Sequence, residues 1–68
     1  MKINFSKVEL IMANAGLTAV KLAELSGVSR QNISTIKLRG TCHPMTAAKL
    51  ARGLGCGVAD IIAAEEDK

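Results

Sequence analysis

Apolar residues recur along this chain at the intervals of helices, and short polar or glycine-bearing stretches break the pattern. Ser6 and Glu9 have the spacing of a capping box. Val8, Ile11, Met12 and Ala15 then carry an apolar stripe as far as Gly16, which predicts a first helix over 6–15. Thr18 is placed to cap a second helix with Leu22, Ala23 and Leu25 inward, and Gly27 supplies the permissive backbone of the turn that follows. Ser29 caps a third helix that points Ile33 and Ile36 inward, with Val28 packed beneath the turn and Arg39 and Gly40 at its end. After a loop over 40–44, Ala47, Ala48, Leu50, Ala51 and Leu54 mark a fourth helix. Gly57 precedes a short fifth around Val58, Ile61 and Ile62. The expectation is all-α: five helices in one domain over 1–63, followed by an acidic, frayed tail over 64–68.

The third helix carries the chemistry. Its outer face is Arg30, Gln31, Ser34 and Thr35, too polar for a core and rich in groups that hydrogen-bond base edges. Arginine can give guanine two parallel hydrogen bonds and glutamine can do the same for adenine, each pair discriminating by about 1–3 kcal/mol. On an arbitrary helix such residues only keep the surface wet. Set after a tight turn from a preceding short helix, they predict a DNA-binding helix-turn-helix.

Composition narrows the alternatives. A chain of 68 residues is too short for a deep active-site cleft, so an enzyme is not expected. With 49% hydrophobic residues and Phe5 as the sole aromatic, the core must come from aliphatic side chains, which suits packed helices. The same shortage of aromatics removes the stacking platform of RNA and single-strand binders. Net charge is +3, unevenly spread: up to Ala59 eight Lys or Arg face Glu9 and Glu24, giving +6, and the end from Asp60 onward carries −3. A polyanion should therefore meet the body of the domain. Lys37 and Arg39, at the end of the third helix, are the foremost candidates for phosphate neutralisation, followed by Lys21 and Lys49. No apolar run approaches the roughly 20 residues of a membrane span and none has the form of a signal peptide, so a cytoplasmic protein with no membrane association is expected. Cys42, His43 and Cys56 lack the paired spacing of a zinc site; free thiols, no metal, no cofactor and no small-molecule ligand are expected.

Leu17, Leu22, Ala23, Gly27, Val28, Ser29, Ile33, Ile36, Pro44, Leu50, Ala51, Leu54, Gly55, Val58, Ile61 and Ile62 stand in one uninterrupted register. That register resembles the phage repressor and Cro family of helix-turn-helix proteins, the lambda repressor-like or XRE family, over residues 5–62. The resemblance implies a transcription regulator of a phage or mobile element, with its third helix (29–37) in the major groove and a homodimer on a palindromic operator. It places Arg30, Gln31 and Thr35 at base contacts, and Ser29, Asn32 and Ser34 at phosphates or neighbouring bases. Arg39 and Thr41 fall near flanking phosphates. Two departures stand out. Ala19 replaces a glutamine common near the start of the second helix, leaving the backbone N–H groups of Thr18 and Ala19, at a positive helix end, to face a phosphate. Arg39 stands where the family usually ends its third helix with glycine. Val58, Ile61 and Ile62 are more apolar than so short a terminal helix needs, and are the expected dimer surface. A competing reading makes the same fold an antitoxin or adaptor that grips a protein partner through its fifth or its exposed helix; Arg30, Gln31 and Lys37 weigh against it.

Overall fold

A computed structural model describes residues 1–63; the acidic stretch expected to fray lies outside the described residues. Four helices follow in order: α1 (Phe5–Ala15), α2 (Ala19–Ser26), α3 (Arg30–Arg39) and α4 (Pro44–Leu54). Among the described residues a fifth α-helix is not formed. Its place is taken by a 3-10 turn, Val58–Asp60, because Gly57 before it is in the β region and Ile62 after it leaves the helical path to make an isolated antiparallel bridge with Ile3.

Local chemistry sets the helix starts. Asn4 caps α1, its side-chain oxygen accepting from the N–H groups of Ser6 at 3.1 Å and Lys7 at 3.4 Å. Ser6 is thus inside the helix, and the expected capping box with Glu9 does not form. Thr18 caps α2 by accepting from the Lys21 N–H at 3.1 Å, and Ser29 caps α3 by accepting from Asn32 at 3.1 Å. His43 caps α4: its Nδ1 accepts from the Met45 N–H at 3.3 Å, and Pro44 takes the first helical position, where a missing N–H costs nothing.

The core lies between α1, α2 and α4, with α3 laid across it. Val8, Leu22, Leu50 and Ile61 are the large side chains fully shut from solvent, and Val28, Ile33 and Ile36 join them from beneath α3. Burying each of the larger ones is worth about 1.5–3 kcal/mol. Ile61 therefore belongs to the interior of its own chain and is not available to a second subunit; Val58 and Ile62 pack partly buried against the same cluster. Leu25 is a second correction, since it is 51% exposed. The inward position at the end of α2 belongs to Ser26, whose hydroxyl is satisfied by accepting from the Val28 N–H at 3.1 Å.

Ser26 is buried because α4 comes right up to it. A Cβ built on Gly53 would stand 2.8 Å from the Ser26 Cβ and 2.9 Å from its backbone nitrogen, so only glycine permits this approach. α2 and α4 are in consequence the most extensively packed pair of elements.

The first residues of the chain make two isolated antiparallel bridges that the hydrophobic pattern did not announce. Lys2 pairs antiparallel with Thr41, and Ile3 with Ile62. The Ile3 N–H donates to the Gly40 carbonyl at 2.8 Å, the Cys42 N–H to Met1 at 3.0 Å and the Asn4 N–H to Ile61 at 2.9 Å. Ile3 is buried by this arrangement. The end of α3 and the segment after the 3-10 turn are thereby both tied to the first residues of the chain. Among the described residues no helix is long and apolar enough to cross a membrane.

Gly53→Ala should lower stability by about 1–3 kcal/mol through overpacking, a loss that outweighs the roughly 1 kcal/mol of helix propensity that alanine brings. The measurement is a urea unfolding midpoint. A midpoint unchanged or raised would mean that α2 and α4 can part without cost.

Candidate nucleic-acid interface

The turn into α3 is fixed before the helix begins. Gly27 adopts φ 77°, a left-handed conformation that favours glycine, and its N–H donates to Ala23 at 2.9 Å. Val28 is buried and Ser29 is extended as the cap. The first-turn N–H groups of Arg30 and Gln31 have no carbonyl one turn earlier to reach, so they face outward unspent. Lys37 and Arg39 occupy the last turn, where positive charge complements the helix dipole. The helix runs through Arg39, and Gly40, at φ 74°, ends it.

Ile33 and Ile36 point into the core, and at about 100° per residue this places every other side chain of α3 on or beside the outer face. Gln31 and Leu38 share the outward pole two turns apart, and Leu38 is 88% exposed. Asn32, Thr35 and Arg39 form one flank. That flank opens on a polar groove of about 490 Å³, which Thr41, His43 and Thr46 line from the other side. A shallower hollow at the front joins Ser29 and Gln31 to Asn32 and Thr35. Ser34 and Lys37 form the opposite flank, over a smaller hollow with Phe5, Glu9, Met12 and Ala19.

The structure thus gathers Ser29, Gln31, Asn32, Thr35, Arg39 and Thr41 on one continuous polar surface. Ser34, Lys37 and Ala19 come together on its far side, beside the Thr18 cap. Arg30 is exposed on the first turn. Thr35 is more constrained than its sequence position suggested: its hydroxyl donates to the Gln31 carbonyl at 3.0 Å, so toward a ligand it offers an acceptor oxygen and a methyl group. Lys37 meets Glu9 of α1 at 3.0 Å. Lys21 lies 3.7 Å from Glu24 on its own helix, and neither Arg30 nor Arg39 takes part in an ion pair among the described residues.

Thr46 escaped sequence reasoning as part of this surface, and so did the role of His43 as a helix cap. A histidine directly before a proline, at the start of an apolar-patterned helix, is a recognisable cap and was the available signal. With Nδ1 accepting from Met45, the neutral imidazole carries its hydrogen on Nε2, away from the helix. Cys42 and Cys56 are free and half-buried. Burial pushes both thiols above their ordinary value, with Asp60 adding to the rise at Cys56, which is the reverse of an activated nucleophile. Among the described residues no three His, Cys, Asp or Glu side chains converge.

Two short helices joined by a glycine turn, the second braced from behind and polar in front, define a helix-turn-helix. Residues 7–67 match the Cro/C1-type HTH DNA-binding domain, and the chain belongs to that family. Membership implies DNA binding, and the family is typically non-enzymatic. No curated protein and no solved structure gives a match.

Ser29→Ala should remove the α3 cap at a cost of about 1 kcal/mol and speed hydrogen exchange at Asn32 first. Exchange unchanged at Asn32 would show that the cap bond is not what holds the first turn.

Proposed function

We propose that this domain is a sequence-specific transcription regulator that inserts α3 into the major groove of duplex DNA. The observation that supports it best is the two-sidedness of α3: Ile33 and Ile36 are buried behind, while Arg30, Gln31, Asn32 and Ser34 are exposed in front. Arg30 and Gln31 hold the donors and acceptors that a guanine or adenine edge requires, and Thr35 contributes its methyl and acceptor oxygen to a third base position. Ser29, Asn32, Ser34, Arg39 and Thr41, with the backbone at Thr18 and Ala19, flank that strip as contacts to phosphate or neighbouring bases.

The regulator acts as a repressor of the Cro type, in keeping with its Cro/C1-type domain. It binds as a symmetric dimer, with half-sites about 34 Å apart. Val58 and Ile62 are what remains of the expected subunit contact once Ile61 is placed in the core. A phage or mobile-element source agrees with the register of the helix-turn-helix. With DNA as its partner the protein works in the cytoplasm.

Selection from a random duplex pool at fixed salt tests the reading. A consensus of two inverted half-sites is the expected result; recovery of unenriched sequence would overturn it. On the consensus, Arg30→Ala should lose about 1–3 kcal/mol and relax preference at one base position. Equal loss on every sequence would remove Arg30 from base recognition and assign it to the backbone.

A further inference from the structure

The ion pair between Lys37 and Glu9 does something that the fold does not need. It bridges α1 and α3, with Nζ 3.0 Å from the carboxylate, while both side chains remain more than half exposed at 60% and 51%. An exposed pair of this kind adds little to stability. α1 is held by Val8 in the core and by the Asn4 cap. The pair spans the rim of a hollow of about 170 Å³ whose floor is Phe5, Met12 and Ile33, and whose other rim residues are Ser34 and Ala19. Ser34 belongs to the recognition helix and Ala19 begins α2, so the carboxylate stands beside both elements that a duplex would approach.

Glu9 is the only acidic residue paired with α3 among the described residues; Glu24 lies beside Lys21 within α2, and Asp60 accepts from Gly57 in the 3-10 turn. A lysine whose charge is already answered gains little by meeting a phosphate, because docking there releases no further counterion. A carboxylate near the path of the backbone also repels it, though screening confines this to about one Debye length, near 10 Å.

We propose that Glu9 is an affinity-setting residue for DNA, a built-in brake that withholds Lys37 from the phosphate backbone so that binding rests on the base-facing side chains. The proposal rests on the reading of α3 as the DNA-contacting helix. It assigns Glu9 no contact with a base, so the brake acts alike on all sequences.

The test is a charge cycle of Glu9→Gln, Lys37→Gln and the double variant. Binding is measured by fluorescence anisotropy on a consensus and a scrambled duplex, at salt concentrations of about 50 mM and about 200 mM. Glu9→Gln should bind both duplexes more tightly and steepen the salt slope by about 0.9, so that its gain is roughly threefold larger at the lower salt. Lys37→Gln should bind more weakly than the wild type, and the double variant, with the pair's net charge restored, should return to wild-type affinity and slope. The urea midpoints of all three should stay at the wild-type value. Unchanged affinity in Glu9→Gln would overturn the brake by placing the pair off the DNA path, and weakened affinity would overturn it by making Glu9 a support for Lys37. Either result leaves the reading of α3 standing if the wild type still prefers the consensus. A wild type that binds neither duplex at the lower salt would overturn both.

Discussion

The rest of this small structure depends on the contact between Ser26 and Gly53. The two backbones meet where any side chain on residue 53 would collide with Ser26, and the meeting sinks Ser26 beneath the surface. Once buried, its hydroxyl has a partner in the Val28 N–H, and that bond shapes the turn out of α2. Leu22 and Leu50, both fully buried, extend the same contact along the two helices. The direction in which α3 leaves the turn is therefore set by how closely α2 can lie on α4, a matter of one missing methyl group.

The far end of α3 is fixed by different means. Gly40 closes the helix, and its carbonyl takes the Ile3 N–H from the extended start of the chain, where Ile3 also bridges to Ile62. A helix of ten residues is too short to hold its own shape in water. Anchored through Ser26 and Val28 at one end, through Ile3 and Gly40 at the other, and by Ile33 and Ile36 along its length, α3 can present polar side chains at defined positions. A rigid, pre-positioned reading surface is what recognition at a cost of few ordered residues requires.

Much of this was legible in the sequence because helix starts and stops are local. Thr18, Ser29, Gly16, Gly27 and Gly40 act where their spacing predicts, and so do Ile33 and Ile36. The misreadings have physical causes. Ser6 and Glu9 match a capping box, yet Asn4 sits one position before Phe5 and caps first, which frees Glu9 for Lys37. Leu25 took the inward position on its apolar character alone; the burial of Ser26, whose hydroxyl is satisfied by the Val28 N–H, leaves Leu25 outside. Val58, Ile61 and Ile62 fit a helical period, but so short a run fits a 3-10 turn and a strand equally well, and the pairing that decides comes from Ile3 at the other end of the chain. No periodicity can reveal such a long-range pairing. On the surface of α3 the outward residues were readable, while the groove shared with His43 and Thr46 was not, since it exists only where the loop after α3 folds back beside it.

Backbone amide shifts followed during titration with a consensus duplex test the central claim most directly, because they report on every position of α3 and of its surroundings at once. The account predicts the largest changes over residues 29–32, at Thr35 and from Arg39 to Thr41, with little at Leu10 or Leu25 on the other helices. Changes centred on α1 or α4, with α3 left untouched, would contradict it.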